Sequence, residues 1–117
     1  MVAGGSASAL GRIGRPSAPA ARLAAVLPHS GGAARLGRAA LAGGLVERDV
    51  RGLLAGLAAS VPDLHGLLLD GDDDEVRAAL DLARRQELAA HGAGLMRIDG
   101  WVVARTEARI CALIALA

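Results

Sequence analysis

A run of carboxylates in the middle of the chain is the part of the sequence with the most evident ligand chemistry. Asp70, Asp72, Asp74 and Asp81 occupy the first, third, fifth and twelfth positions of a calcium-binding EF-hand loop. The sixth position, where that loop turns sharply on glycine, is Glu75, and the twelfth lacks the usual bidentate glutamate. We therefore predict a solvated loop that starts a helix, and no calcium site.

The other residues that could bind metals or act as nucleophiles are too scattered to form a site. His29, His65, His91 and Cys111 include no CxxC, HxxxH or HExxH spacing, so no zinc site is expected. Cys111 lies among apolar residues, where burial raises the pKa of a thiol and leaves it inert. The glycines of residues 31–37 lack the Lys-Ser/Thr of a phosphate-binding loop. We predict no catalytic residue, no cofactor and no bound metal.

Composition limits the chain to one small domain with a thin core. All thirteen basic residues are arginine, and Trp101 is the only aromatic residue in the 117. A core of aliphatic side chains buries less area per residue than one with aromatics. A single cysteine excludes an internal disulfide. Small domains with thin cores often gain stability by oligomerising, so a partner chain or a second copy is expected.

Charge and proline content divide the chain into two parts. Residues 1–44 contain arginines, no acid, and Pro16, Pro19 and Pro28, which break any long helix. We predict a flexible leader there, which is either disordered or mis-started sequence, or a cleaved targeting peptide. The second reading implies export to the periplasm, and the first implies a cytoplasmic protein. No stretch has the ~18 apolar residues of a membrane span. The domain is expected at residues 45–117.

Apolar spacing predicts a mainly helical domain with one short β element. Three- and four-residue spacings indicate a first helix over residues 45–60 and a short second one over residues 62–69. The acidic run should start the next helix, over residues 73–91. Residues 95–105 include the β-branched Ile98, Val102 and Val103 and the turn pair Asp99-Gly100, which predicts a tight hairpin or one bent strand.

The final helix is the strongest argument from sequence for a partner. Thr106 is a suitable N-cap, and residues 110–117 are apolar on every side. A helix without a polar face must be covered all round, and no later segment of the sequence could cover it. Trp101 either anchors the core or is an exposed anchor for a partner. The predicted partner-binding residues are Trp101, Ile110, Leu113 and Ile114.

The same stretch carries two partial resemblances. Ile98-Asp-Gly100 followed by residues 102–113 resembles the entry into the winged-helix effector domain of OmpR/PhoB-type response regulators, although Ala104-Arg105 replaces the usual Leu-Thr step. Asp99-Gly-Trp101 with Thr106-Glu-Ala-Arg109 and Cys111-Ala-Leu113 resembles the ending of small uncharacterised bacterial proteins, often made with twin-arginine export signals. The second resemblance implies a small accessory protein.

These observations lead to one functional prediction and two alternatives. The leading prediction is a non-enzymatic accessory or interaction protein that binds another chain through its C-terminal helix. One alternative is a truncated winged-helix transcriptional regulator, and another is a degenerate gene fragment. Nucleic-acid binding is not expected, because the arginine-bearing segment has no aromatic residue to stack on a base.

Overall fold

A computed structural model of the chain describes residues 21–23, 25, 31–90 and 95–116. Over these residues the fold is mainly helical, with a two-stranded antiparallel hairpin before the C-terminal helix, which confirms the predicted fold class. Besides a helical stretch at residues 21–23, the elements are α1 (Gly31–Ala42), α2 (Val50–Ser60), α3 (Leu64–Asp70), α4 (Asp73–Ala89), β1 (Leu95–Ile98), β2 (Trp101–Ala104) and α5 (Arg105–Leu116).

Side-chain caps set where two of the helices begin. Asp49 accepts a hydrogen bond from the backbone N–H of Gly52, so α2 starts at residue 50 and not at residue 45 as its apolar pattern suggested. Asp72 and Glu75 form a capping box, with 2.8 Å between each carboxylate oxygen and the backbone nitrogen of the other residue. The acidic run therefore starts α4, as predicted.

The hairpin has the tight form that its turn residues predict. Ile98 pairs with Trp101 and Met96 with Val103, so only two residues connect the strands. Both turn residues have positive φ, 50° for Asp99 and 83° for Gly100, as a type I′ turn requires. The alternative of a single bent strand is excluded.

Helix α5 lies at the centre of the fold. It contacts α1, α2, α4 and both strands, and its buried residues include Thr106, Ala108, Ala112 and Leu113. The inference that another chain must cover this helix is therefore wrong: earlier elements of the same chain cover it. The apolar pattern indicated correctly that α5 is surrounded, but it could not identify which segments surround it.

The most extensive helix–helix contact joins α5 to α1. A β-carbon added to Gly37 would lie 2.0 Å from the carbonyl oxygen of Cys111, so the two backbones approach as closely as glycine permits. Ala40 on α1 and Ala108 and Ala112 on α5 are fully buried. Small residues thus allow α1 to lie directly on α5.

This packing corrects the predicted leader of residues 1–44. Residues 31–42 form α1, and Leu23 is fully buried in the core. The Arg22 guanidinium donates hydrogen bonds to the carbonyls of Leu67 (3.0 Å) and Leu68 (2.6 Å) at the end of α3. A cation stabilises these terminal carbonyls, because a helix C-terminus is the negative end of its dipole. The prediction for residues 1–20 lies outside the described residues.

Two polar contacts hold α5 against distant parts of the chain. The Glu87 carboxylate on α4 accepts hydrogen bonds from the Thr106 N–H (2.8 Å) and hydroxyl (2.9 Å), so it caps α5 from a neighbouring helix. Arg109 forms a bidentate ion pair with Glu47 on the loop after α1, at 2.9 and 3.0 Å. Because Arg109 is only 13% exposed, this pair is better shielded from water than the pairs along α4.

We expect Glu47→Gln to weaken the fold only where Glu47 is ionised. The hydrogen bond from Arg109 lowers the pKa of Glu47 below its ordinary value of 4.5, so the carboxylate stabilises the folded state above pH 4.5. That stability is lost as the pH falls through the lowered folded-state pKa. For a partly solvated pair the effect is about 1 kcal/mol or less. Urea unfolding of the unchanged protein and of Glu47→Gln over a pH series measures the difference in their free energies of unfolding. A difference that persists unchanged well below pH 4.5 would contradict this account.

Candidate protein-interaction site

The residues with metal-binding or acid–base chemistry are engaged in structural contacts. Asp72 and Glu75 cap α4, and Asp81 pairs with Arg84 and Arg85 on the next turn of the same helix. Within residues 31–90 and 95–116, no group of three His, Cys, Asp or Glu side chains could hold a metal ion. His65 is exposed on α3, and His29 and His91 lie outside the described residues.

Cys111 is buried on α5, as its apolar surroundings predict. Desolvation raises the pKa of its thiol to about 11, and the nearby Glu107 carboxylate adds to the effect. The thiol therefore stays protonated at neutral pH, whereas nucleophilic and metal-binding cysteines act as thiolates.

Trp101 is the largest apolar side chain left open to solvent, with 69% of its surface exposed. It lies on the same face of β2 as Val103, and its cross-strand partner is Ile98; both of these are buried. Trp101 is two residues nearer the turn than Val103 and extends beyond the edge of the core. The interpretation of Trp101 as the core anchor is therefore wrong, because aliphatic residues fill the core.

Val102 extends the exposed apolar surface at this end of the hairpin. It is 53% exposed, and it faces Arg97 across the strands on the opposite side from Trp101. We call residues 97–102 the hairpin tip. The sequence alone does not mark Val102 as exposed, because a β-branched residue in a strand suits a buried face equally well.

The other three residues predicted to bind a partner divide into two groups. Leu113 is only 2% exposed and packs in the core of its own chain, so it is not on the surface. Ile110 and Ile114 are half-buried and line a groove of about 480 Å³ between α1, α4 and α5. Trp101 is not among the residues that line this groove. The structure therefore separates the four residues into a hairpin tip, a groove and a core position.

In the part of the chain that the structure describes, one bent helix pair has the length and composition of a membrane span. Over the described residues, no single helix is both long enough and apolar enough to cross a bilayer. By length and composition only α2 and α3 taken together would suffice, and they are bent by 105° at their junction.

Comparison of the chain with protein-family models, with curated proteins and with solved structures gives no match.

Proposed function

We propose that this chain is a non-enzymatic interaction protein that binds a partner protein through its hairpin tip. The observation that carries the proposal is the exposure of Trp101, the only aromatic side chain of the sequence. Tryptophan is enriched at binding hot spots because it supplies a large contact area with few rotatable bonds. Leaving it in water forgoes the stability that its burial would give the fold.

The backbone around Trp101 supports this role because it is held in one conformation. The type I′ turn at Asp99-Gly100 fixes the register, and Ile98 and Val103 fasten the core-facing side of the hairpin. Strand β2 also contacts α4 and α5. A side chain presented from a rigid element loses little conformational entropy on binding.

The buried, protonated Cys111 thiol and the structural roles of the carboxylates favour binding over catalysis. The resemblance of residues 99–113 to small accessory proteins agrees with this proposal. The alternative of a truncated winged-helix regulator depends on the same hairpin and helix. No observation on the described residues favours that alternative, and α5 is occupied by packing against α1, α2 and α4.

We expect Trp101→Ala to weaken partner binding strongly without weakening the fold. An exposed side chain contributes little to stability, so the free energy of unfolding should change by about 0.5 kcal/mol or less. Truncating a hot-spot tryptophan should cost binding about 2 kcal/mol or more, which is roughly a thirtyfold loss of affinity. The measurement is affinity capture from the native cell extract, quantified by mass spectrometry, followed by titration of the recovered protein. Emission of the single tryptophan reports binding directly.

The matched control is Leu69→Ala, which removes an apolar side chain that is 79% exposed on α3, away from the hairpin. It should recover the same partner as the unchanged protein. The proposal fails if Trp101→Ala recovers that partner equally well, or if the unchanged protein recovers nothing beyond bare resin. Light scattering of the purified protein tests whether the partner is a second copy.

A further inference from the structure

The groove between α1, α4 and α5 is a second concave surface, separate from the hairpin tip. Its walls are aliphatic: Ala33 comes from α1, Ala78 and Leu80 from α4, and Ile110 and Ile114 from α5. Its volume of about 480 Å³ falls within the range of roughly 300–1,000 Å³ that is usual for small-molecule sites.

The charges at the rim of the groove cancel. Arg77 and Arg84 stand beside Asp81 and Glu107. Each arginine is already in an ion pair, Arg77 with Asp74 at 2.8 Å and Arg84 with Asp81 at 2.6 Å. Because both guanidinium groups are already engaged by carboxylates, a charged ligand would gain little attraction there and would lose its own hydration. The rim therefore complements an uncharged molecule.

The side chains inside the groove do not require a hydrogen bond from a ligand. Thr106, the buried polar residue among the described residues, hydrogen-bonds to Glu87 and does not line the groove. The Cys111 thiol, which lines the groove, is uncharged at neutral pH because burial raises its pKa. A ligand here gains free energy by removing aliphatic surface from water and needs no hydrogen-bonding group inside.

We propose that this groove binds a neutral aliphatic molecule, such as the hydrocarbon chain of an uncharged lipid or a long-chain alcohol. The site is independent of Trp101 and of the partner protein proposed above. It would give the protein a ligand-carrying or ligand-sensing role in addition to protein binding.

Titration of the full-length chain with decanol tests this site, with decanoate and decyltrimethylammonium as charged chains of equal length. Calorimetry should show saturable decanol binding, and both charged chains should bind at least about tenfold more weakly, since each must give up hydration that the paired rim charges do not replace.

A groove-filling variant separates this site from adventitious surface binding. Ala78→Leu adds bulk at an exposed position on the groove wall and keeps a good helix former, so it should fold normally and lose decanol binding. Ala55→Leu makes the same change at an exposed position of α2 outside the groove and should bind as the unchanged protein does. The proposal is overturned by equal affinity for all three chains, by unaltered binding to Ala78→Leu, or by the absence of saturable binding.

Discussion

Replacing Gly37 with alanine is expected to lower the free energy of unfolding by about 3 kcal/mol, the upper part of the usual range for overpacking a core. The added β-carbon would lie 2.0 Å from the carbonyl oxygen and 2.4 Å from the carbonyl carbon of Cys111. Both are backbone atoms of α5, so no side-chain rotation relieves the clash and the helices must separate. Such a loss is a large fraction of the roughly 5–15 kcal/mol that stabilises an ordinary domain.

The sign of this effect distinguishes a close helix crossing from a flexible leader. In an exposed or unpacked helix, Gly→Ala stabilises by about 1 kcal/mol through helix propensity. Gly43→Ala is the control, because its nearest contact would be 3.3 Å from the Ala39 carbonyl oxygen and its φ is not in the left-handed region. That variant should change stability by less than about 1 kcal/mol. Urea unfolding measures both, and a neutral or stabilising Gly37→Ala would contradict the packing of α1 on α5.

Local chemistry was sufficient to predict the later elements of this fold. Asp99-Gly100 favours a type I′ turn whatever the surroundings, and the hairpin follows from it. The acidic residues before Val76 satisfy free N–H groups at a helix start, so α4 could be placed from sequence. These signals act within a few residues of one another, and tertiary contacts did not override them.

The sequence does not predict helix α1 because the composition of this segment fits two opposite structures. The glycines and alanines of residues 31–42 are typical of a flexible segment, and they are also the residues that let two helices pack closely. Only the presence of α5 opposite Gly37 decides between these meanings, and that is a contact between residues far apart in the chain. Arg22 is a similar case, since its carbonyl partners lie 45 and 46 residues away.

The candidate site was only partly predictable for the same reason. Trp101 was identified as a possible interface anchor from its residue type, but its exposure depends on how far the hairpin extends past the core. Ile110, Leu113 and Ile114 have the same apolar character in the sequence. Packing of α1 and α4 against α5 buries Leu113 and leaves the two isoleucines along a groove.

Segments before residue 45 cover the C-terminal helix within the same chain. A protein that begins at Leu45 would lack Leu23, Leu36, Ala40 and Leu41, which pack in or against the core. Full burial of Leu23 contributes about 1.5–3 kcal/mol, and the half-buried Leu36 and Leu41 each contribute part of that, so their combined loss is comparable with the stability of a small domain. Removal of α1 would also expose the side of α5 that contains Ala108 and Ala112.

Thermal unfolding of two truncated proteins, residues 21–117 and residues 45–117, tests this claim most directly. The longer protein retains Arg22, Leu23 and α1, and it should melt cooperatively. The shorter protein should show no cooperative transition and should aggregate through the exposed α5. A cooperative monomeric transition for residues 45–117 at the same midpoint would contradict the account.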